Sequence, residues 1–223
     1  MAKMAREMSY EFCNSCCTVP WGHFTHVMDK VEPGEKREWY LRASLEHGWS
    51  RAVLMHQVEL RLYERQVLAG KINNFGSTLP SPQSDLAREQ QKDPYVFDFI
   101  TARQEATELE IEQEMVRNVT KLLLELGTGF AFLGNQYHLE VAGDDFFLDL
   151  IFYNTKLRCY LVVEIKNGDF KPEYVGKLNF YLTAVDEQMR GEYDNPTVGL
   201  LLCREKNDVV AEWSLRDVDK PIG

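Results

Sequence analysis

The stretch DDFFLDLIFYNTKLRCYLVVEIKNGDF, residues 144–170, holds two long apolar runs joined by the short turn-forming segment YNTKLRC. Runs rich in aromatic and β-branched residues form buried strands, and so short a connection returns the second strand antiparallel to the first. The pair therefore specifies the centre of a sheet. Yet Asp149, Glu164 and Lys166 stand inside those runs. A charge sealed in a dry core without partners costs on the order of several kcal/mol, so these three must be partnered or lie at the mouth of a cleft.

The rest of the second half fits an α/β layer architecture. A helix is expected over about 103–126, strands near 130–141, 145–153 and 158–166, a helix near 172–189, and strands near 197–203 and 209–215, VVAEWSL reading as an edge strand. The first half reads as helical. From Glu35 to about Gln66 two helices flank EHGWS, with Gly48 ending the first and Ser50 capping the second, a helix-turn-helix spacing. Arg51, Gln57, Arg61 and Arg65 lie on the second helix and could face a DNA groove; a purely structural helix pair is the alternative. Pro80, Pro82 and Pro94 mark a connector with one short helix, capped by Ser84 or Asp85. The expected divisions are a cysteine-bearing tail over 1–20, a small helical domain with connector over 21–100, and the sheet domain over 101–223.

With 223 residues and 44% hydrophobic content the chain can bury a sizeable core. MAKMAREMSYEF lacks the apolar run of a signal peptide and no segment has the length of a membrane span, so a cytoplasmic protein without membrane partners is expected. The net charge of −10 argues at first against nucleic acid, but it is uneven: residues 101–223 carry nearly all of it. That excess suits metal ligands, although EATELEIEQE is mostly a solvated helix face. Five cysteines without an export signal argue against a disulfide framework, and Cys159 and Cys203 read as small core residues. Cys13, Cys16, His23 and His26 could ligate zinc, but their spacing is short for a zinc finger and free thiols on a frayed terminus are the plainer reading; Cys17 has no assigned role.

Side chains alternate along a strand, so Glu164 and Lys166 share a face; an even-length turn brings Asp149 opposite Glu164. On the preceding helix, Leu109, Val116, Val119, Leu123 and Leu126 form an apolar stripe in which Glu112 takes a core position, while Glu110 and Glu114 point away and Glu105 is a second candidate. Hard carboxylate oxygens hold Mg²⁺ or Mn²⁺ with sites left for water and phosphate, and a neighbouring lysine can orient the water or offset phosphate charge. An isolated E-x-K would more often be a cross-strand ion pair. The apolar strand and the Asp one strand earlier shift the balance towards a phosphodiesterase site.

This arrangement, a helix Glu, an Asp ending one strand and E-x-K on the next, resembles the PD-(D/E)xK nuclease superfamily. More closely, the chain from about Trp21 onward resembles the YhcG-type nucleases, through WYLRASLEHGWSRAVLMHQVELRLYERQ, LPSPQSDLAREQQKDPYVFDF and the segment from LLLELGTGF to AVDEQ. The resemblance implies a restriction-endonuclease-like mixed sheet flanked by helices, preceded by a small all-helical domain proposed to bind DNA. It places the family's acidic residues on Glu112, Asp149 and Glu164, its lysine on Lys166, and an extra metal ligand on the Ile165 carbonyl. Where many members carry Q-x-x-x-Y, this chain has Lys177-x-x-x-Tyr181, which keeps phosphate contact plausible without the glutamine. The start before Trp21 departs from the family, and the chain stops at DKPIG where relatives continue. The expected function is divalent-metal-dependent hydrolysis of DNA. The alternative is a catalytically idle fold used as a DNA- or protein-binding module, with homo-oligomers or protein partners in a defence or mobile-element system.

Overall fold

Gly48, at φ 60, and Ser50, whose side chain accepts from the Val53 N–H at 3.3 Å, separate two helices as their residue types dictate. The computed structural model describes residues 18–100 and 106–223. Its first helices are α1 (Trp21–Lys30), α2 (Glu35–Glu46) and α3 (Arg51–Glu59). Phe24, Val27, Tyr40, Leu41, Leu54 and Leu62 close a core among them. The second helix of the pair is shorter than its apolar pattern suggests. It ends before Arg61, which takes φ 52, and a π-helical turn follows at Glu64–Leu68. The chain divides into Met1–Ala69 and Gly70–Gly223, earlier than the boundary near residue 100 that its prolines suggest. The reason lies in the connector, α4 (Phe75–Thr78) and α5 (Gln83–Gln90), because Phe75, Leu79, Ala87 and Phe99 are buried in the core of the sheet unit. α5 follows Pro82 without a side-chain cap, so neither Ser84 nor Asp85 plays that part.

Thr107 and Glu110 form a reciprocal capping box that starts α6 (Glu108–Arg117), and the backbone breaks at Asn118 before α7 (Val119–Leu126). One long helix is thus two. Its buried stripe also differs from the expected one: Leu109 is 51% exposed, whereas Glu112, Met115, Leu122 and Leu126 are buried. β1 (Phe130–Val141), β2 (Asp144–Asn154), β3 (Cys159–Ile165) and, after α8 (Pro172–Gln188), β4 (Val198–Leu202) form one sheet in that order. The first two pairings are antiparallel and the third is parallel, the crossover helix α8 making the parallel step possible. Gly199 lets α8 approach β4 closely, since a Cβ there would meet Leu178 Cδ2 at 2.9 Å. Residues 208–215 are not an edge strand but α9 (Asp208–Leu215). Asn207 accepts from the Val209 and Val210 N–H groups, and the buried Ala211 and Leu215 lie one helical turn apart, so cap chemistry overrides the β propensity of the valines.

Leu150, Phe152, Leu161 and Val163 pack towards Met115 and Leu122 on one sheet face, while Ile151 and Val162 pack towards Val175, Leu178 and Leu182 of α8 on the other. Leu148, two residues before Leu150, belongs to the α8 side. The faces therefore invert around Asp149. Opposite it on β1, between the pairs Asn135↔Leu150 and Tyr137↔Leu148, sits Gln136 at φ 43, a left-handed conformation that turns the strand over.

Candidate active site

The turn between β2 and β3 comprises residues 155–158, because Asn154 pairs with Cys159, and the same register continued inward sets Asp149 opposite Glu164. The ladder ends one pair earlier, at Leu150↔Val163. There the strands part, and the Asp149 carboxylate accepts from the Ile165 N–H at 2.7 Å in place of a backbone carbonyl. Asp149 thus lies in the opening between two strands, half-buried, at the point of face inversion. Its carboxyl is pushed up to about 6, first by burial and then by the charge of Glu164, against the pull of the Ile165 N–H, Lys166 and Lys177.

Glu164 is fully buried. Its Oε1 takes Lys166 Nζ at 3.0 Å and Lys177 Nζ at 2.5 Å, while its Oε2 is buried without a hydrogen-bond partner. An orphaned carboxylate oxygen at zero exposure is costly, and a hard cation would satisfy it. Lys166 is 8% exposed and also reaches Glu108 Oε2 and the Ile165 carbonyl, each at 3.0 Å. Burial works against its charge, but the contacts with Glu164 and Glu108 win and hold its ammonium protonated well above the ordinary lysine range. Lys177 is shifted the same way: burial opposes its charge and Glu164 restores it.

Glu112 is 1% exposed, as its core position requires, but its oxygens are engaged by the side-chain amides of Asn135, at 2.8 Å, and Gln136. Both of these contacts run to β1, and its link to the centre passes through Gln136, which lies across from Asp149 between the pairs Asn135↔Leu150 and Tyr137↔Leu148. The helix residue in direct contact with Lys166 is Glu108, one turn earlier. Helical spacing could have found it, since 108 and 112 share a face, but nothing in the sequence ranks it above its neighbours. Glu110 is exposed in the capping box, and Glu105 lies outside the described residues. Tyr174 was also missed; Lys166 and Lys171 approach its ring at 5.5 and 6.0 Å.

Three expected nucleic-acid contacts are corrected by burial. Tyr181 is 4% exposed and forms part of the α8 core, its ring lying 5.1 Å from Lys177 Nζ. Gln57 is 2% exposed inside the helical unit, where its carbonyl faces Tyr40 Oη, so it cannot read a groove. Arg65 is likewise buried, its guanidinium donating to the Leu60 carbonyl at 2.9 Å, whereas Arg51 and Arg61 are exposed. His23 contacts the Trp49 carbonyl at 2.8 Å and His26 is buried; Cys13, Cys16 and Cys17 lie outside the described residues.

Among the described residues no group of three or more His, Cys, Asp or Glu side chains is gathered as a metal site. The donor set that fits a hard cation is the Asp149 and Glu164 carboxylates with the Ile165 carbonyl, and the unpartnered Glu164 Oε2 is the observation in its favour. No described helix is long and apolar enough to cross a membrane.

Known proteins share both units. Residues 88–223 match the model of the YhcG PDDEXK nuclease domain and residues 2–65 that of the DUF1016 N-terminal domain. The second match takes in the cysteine-bearing start, which is therefore not outside the family pattern. "Putative nuclease YhcG" of Escherichia coli (strain K12) is 32% identical over 203 residues, which are 90% of this chain and 54% of that protein, so the chain spans about half the length of this relative. Among solved structures, a repair endonuclease from Pyrococcus abyssi aligns over 52% of this chain and 45% of its own at 18% identity, TM-score 0.35. An EndoMS–dsDNA complex aligns over 56% and 45% at 15% identity, TM-score 0.36; likenesses of that depth decide neither fold nor function here. The family matches do decide the family: with its mixed sheet, flanking helices and helical N-terminal unit, the chain belongs to the YhcG PDDEXK nucleases.

Proposed function

We propose that the protein is a divalent-metal-dependent nuclease hydrolysing DNA phosphodiester bonds, with the opening between β2 and β3 as its centre. The observation that carries the reading is Glu164: fully buried, one oxygen held by two lysines and the other without a partner, next to an Asp149 carboxyl raised to about 6. Two carboxylates in one poorly solvated place repel each other, and a cation between them removes that cost. Asp149, Glu164 and the Ile165 carbonyl would hold Mg²⁺ or Mn²⁺, with Glu112 the further acidic candidate placed through Gln136. When bound, such an ion lowers the pKa of a coordinated water and offsets charge on the phosphate.

The chain's own groups do the rest. Lys166, kept protonated by its acidic neighbours, presents a fixed positive charge to the water or to a phosphate oxygen. Lys171, just before α8, and Lys177, within it, add positive charge near Lys166 and suit a nucleic-acid backbone. Lys177 also fixes Glu164 Oε1, leaving Oε2 as the free oxygen. Arg51 and Arg61 are the proposed phosphate contacts of the helical unit. The test is cleavage of labelled duplex, branched and single-stranded DNA with Mg²⁺, Mn²⁺ or a chelator, beside Asp149→Ala. Metal-dependent cleavage lost in the variant is expected; no cleavage, or cleavage indifferent to chelator and to Asp149, refutes the proposal.

A further inference from the structure

The Lys166 ammonium donates to the Ile165 carbonyl and to Glu108 Oε2 and pairs with Glu164 Oε1, each at 3.0 Å, so three acceptors crowd its three N–H donors. A lysine so surrounded has no open side for a phosphate. One acceptor must leave when substrate arrives, and the three are not equivalent. Glu164 is fully buried and shared with Lys177, and the Ile165 carbonyl belongs to the adjoining backbone. Glu108 is 47% exposed in its side chain and hangs from the first turn of α6. It is the acceptor that can swing into solvent.

Its second oxygen shows what it would leave behind. Glu108 Oε1 accepts from the Asn167 backbone N–H at 3.3 Å, so one carboxylate spans two donors, Lys166 Nζ and Asn167 N. Asn167 is itself anchored, its side-chain amide donating to the Ala106 carbonyl just before the helix. The donor pair is therefore a held feature of the fold rather than a loose loop. A charged and a neutral donor side by side, facing a two-oxygen anion, suit the two non-bridging oxygens of a phosphodiester equally well.

We infer that Lys166 Nζ and the Asn167 N–H form a phosphate seat which Glu108 occupies in the free protein and vacates when nucleic acid binds. Glu108 is thus a built-in competitor of the substrate. It holds Lys166 aimed while no phosphate is present, and its carboxylate covers the site against weakly held anions. The inference rests on the nuclease reading and adds to it the residue that substrate must displace.

Glu108→Gln keeps the side chain's size and removes its charge. Binding of a fluorescently labelled duplex, followed by anisotropy with EDTA and with Ca²⁺, should tighten about fivefold, the scale of one partly exposed ion pair released. Glu110→Gln is the control. It removes the same charge two residues away, leaves the capping box intact because Gln serves equally at that position, and does not touch Lys166. It should leave affinity near wild type, and the gain from Glu108→Gln should vanish in a Lys166→Met background. Glu108→Ala should tighten binding as well, and thermal melts of all variants show whether they fold. Affinity of Glu108→Gln and Glu108→Ala that is unchanged, weakened or matched by Glu110→Gln overturns the inference while wild-type cleavage leaves the nuclease reading standing. A wild-type protein that neither binds nor cleaves DNA overturns both.

Discussion

Replacing Glu164 by Gln should move the titration of a different residue. Glu164 and Asp149 flank the point where β2 and β3 part, and the Asp149 carboxyl is raised from 3.8 to about 6, with burial the larger cause and the Glu164 charge the next. At an effective dielectric near 20, two unit charges about 5 Å apart repel by about 3 kcal/mol, equivalent to about 2 pH units. Burial is the larger cause, so removing the Glu164 charge should lower the Asp149 carboxyl by less than that, on the order of 1 pH unit. Gln keeps the shape and packing, and Lys166 and Lys177, relieved of their shared partner, would favour an ionised Asp149 in the same direction. The Asp149 carboxyl should therefore titrate about 1 unit lower in Glu164→Gln, readable by carboxyl-carbon NMR with Asp149→Asn to assign the resonance. Titration calorimetry of the same variant should show Mg²⁺ binding lost, since the unpartnered Oε2 has become part of a neutral amide. An Asp149 that titrates where it does in wild type would refute the reasoning. The two carboxylates would then not share a field, and groups that do not feel each other's charge cannot share a cation.

The raised Asp149 carboxyl also links stability to pH. Its proton uptake in the folded state is fully in place below about 3.8 and is lost as pH rises through about 6, so from this group alone stability falls across that window and Mg²⁺ should offset the loss above it. Mg²⁺ should raise the melting temperature at about pH 7.5 and do little at about pH 5; an equal rise at both would place the ion elsewhere. Lys166→Met should cut the cleavage rate roughly 10²-fold while leaving Mg²⁺ affinity near wild type, and a Met variant that cleaves normally would make Lys166 a structural partner only. Arg51→Gln and Arg61→Gln should each lower the salt slope of DNA binding by about one unit; unchanged slopes would assign the helical unit to assembly. Gly199→Ala should cost about 1–3 kcal/mol in denaturant melts, because its Cβ would meet Leu178 and Leu182 at 2.9 and 3.0 Å, and a neutral outcome would mean that α8 gives way freely.

Short-range chemistry was legible without coordinates. Gly48 and Ser50 mark the first helix pair because a left-handed φ and an N-cap oxygen are properties of single residues. The strand pair around YNTKLRC follows from alternation and turn length, and with it the antiparallel register that runs inward to Leu150↔Val163, next to Asp149 and Glu164, and the contact of Lys166 with Glu164. Burial of Glu112 follows from its place in a helical repeat, although the repeat runs through Met115 and Leu122 rather than Leu109. Other assignments failed where two local signals compete: 208–215 carries strand-forming valines behind an Asn that caps a helix, and only packing of Ala211 and Leu215 settles the contest.

The tertiary structure decided everything that depends on which groups arrive from elsewhere in the chain. Glu108 reaches Lys166 across 58 residues, and Lys177 on α8 pairs with Glu164 on β3. Tyr181 and Gln57 turn inward because their helices present those positions to a core. Gln136 inverts the sheet faces beside Asp149, which no alternation rule anticipates, since period two assumes an uninterrupted extended backbone. A sequence determines the covalent spacing of its charges and the period on which they repeat. How each charge is desolvated, and by which distant partner it is met, is a property of the folded chain, because both depend on distances that only packing sets.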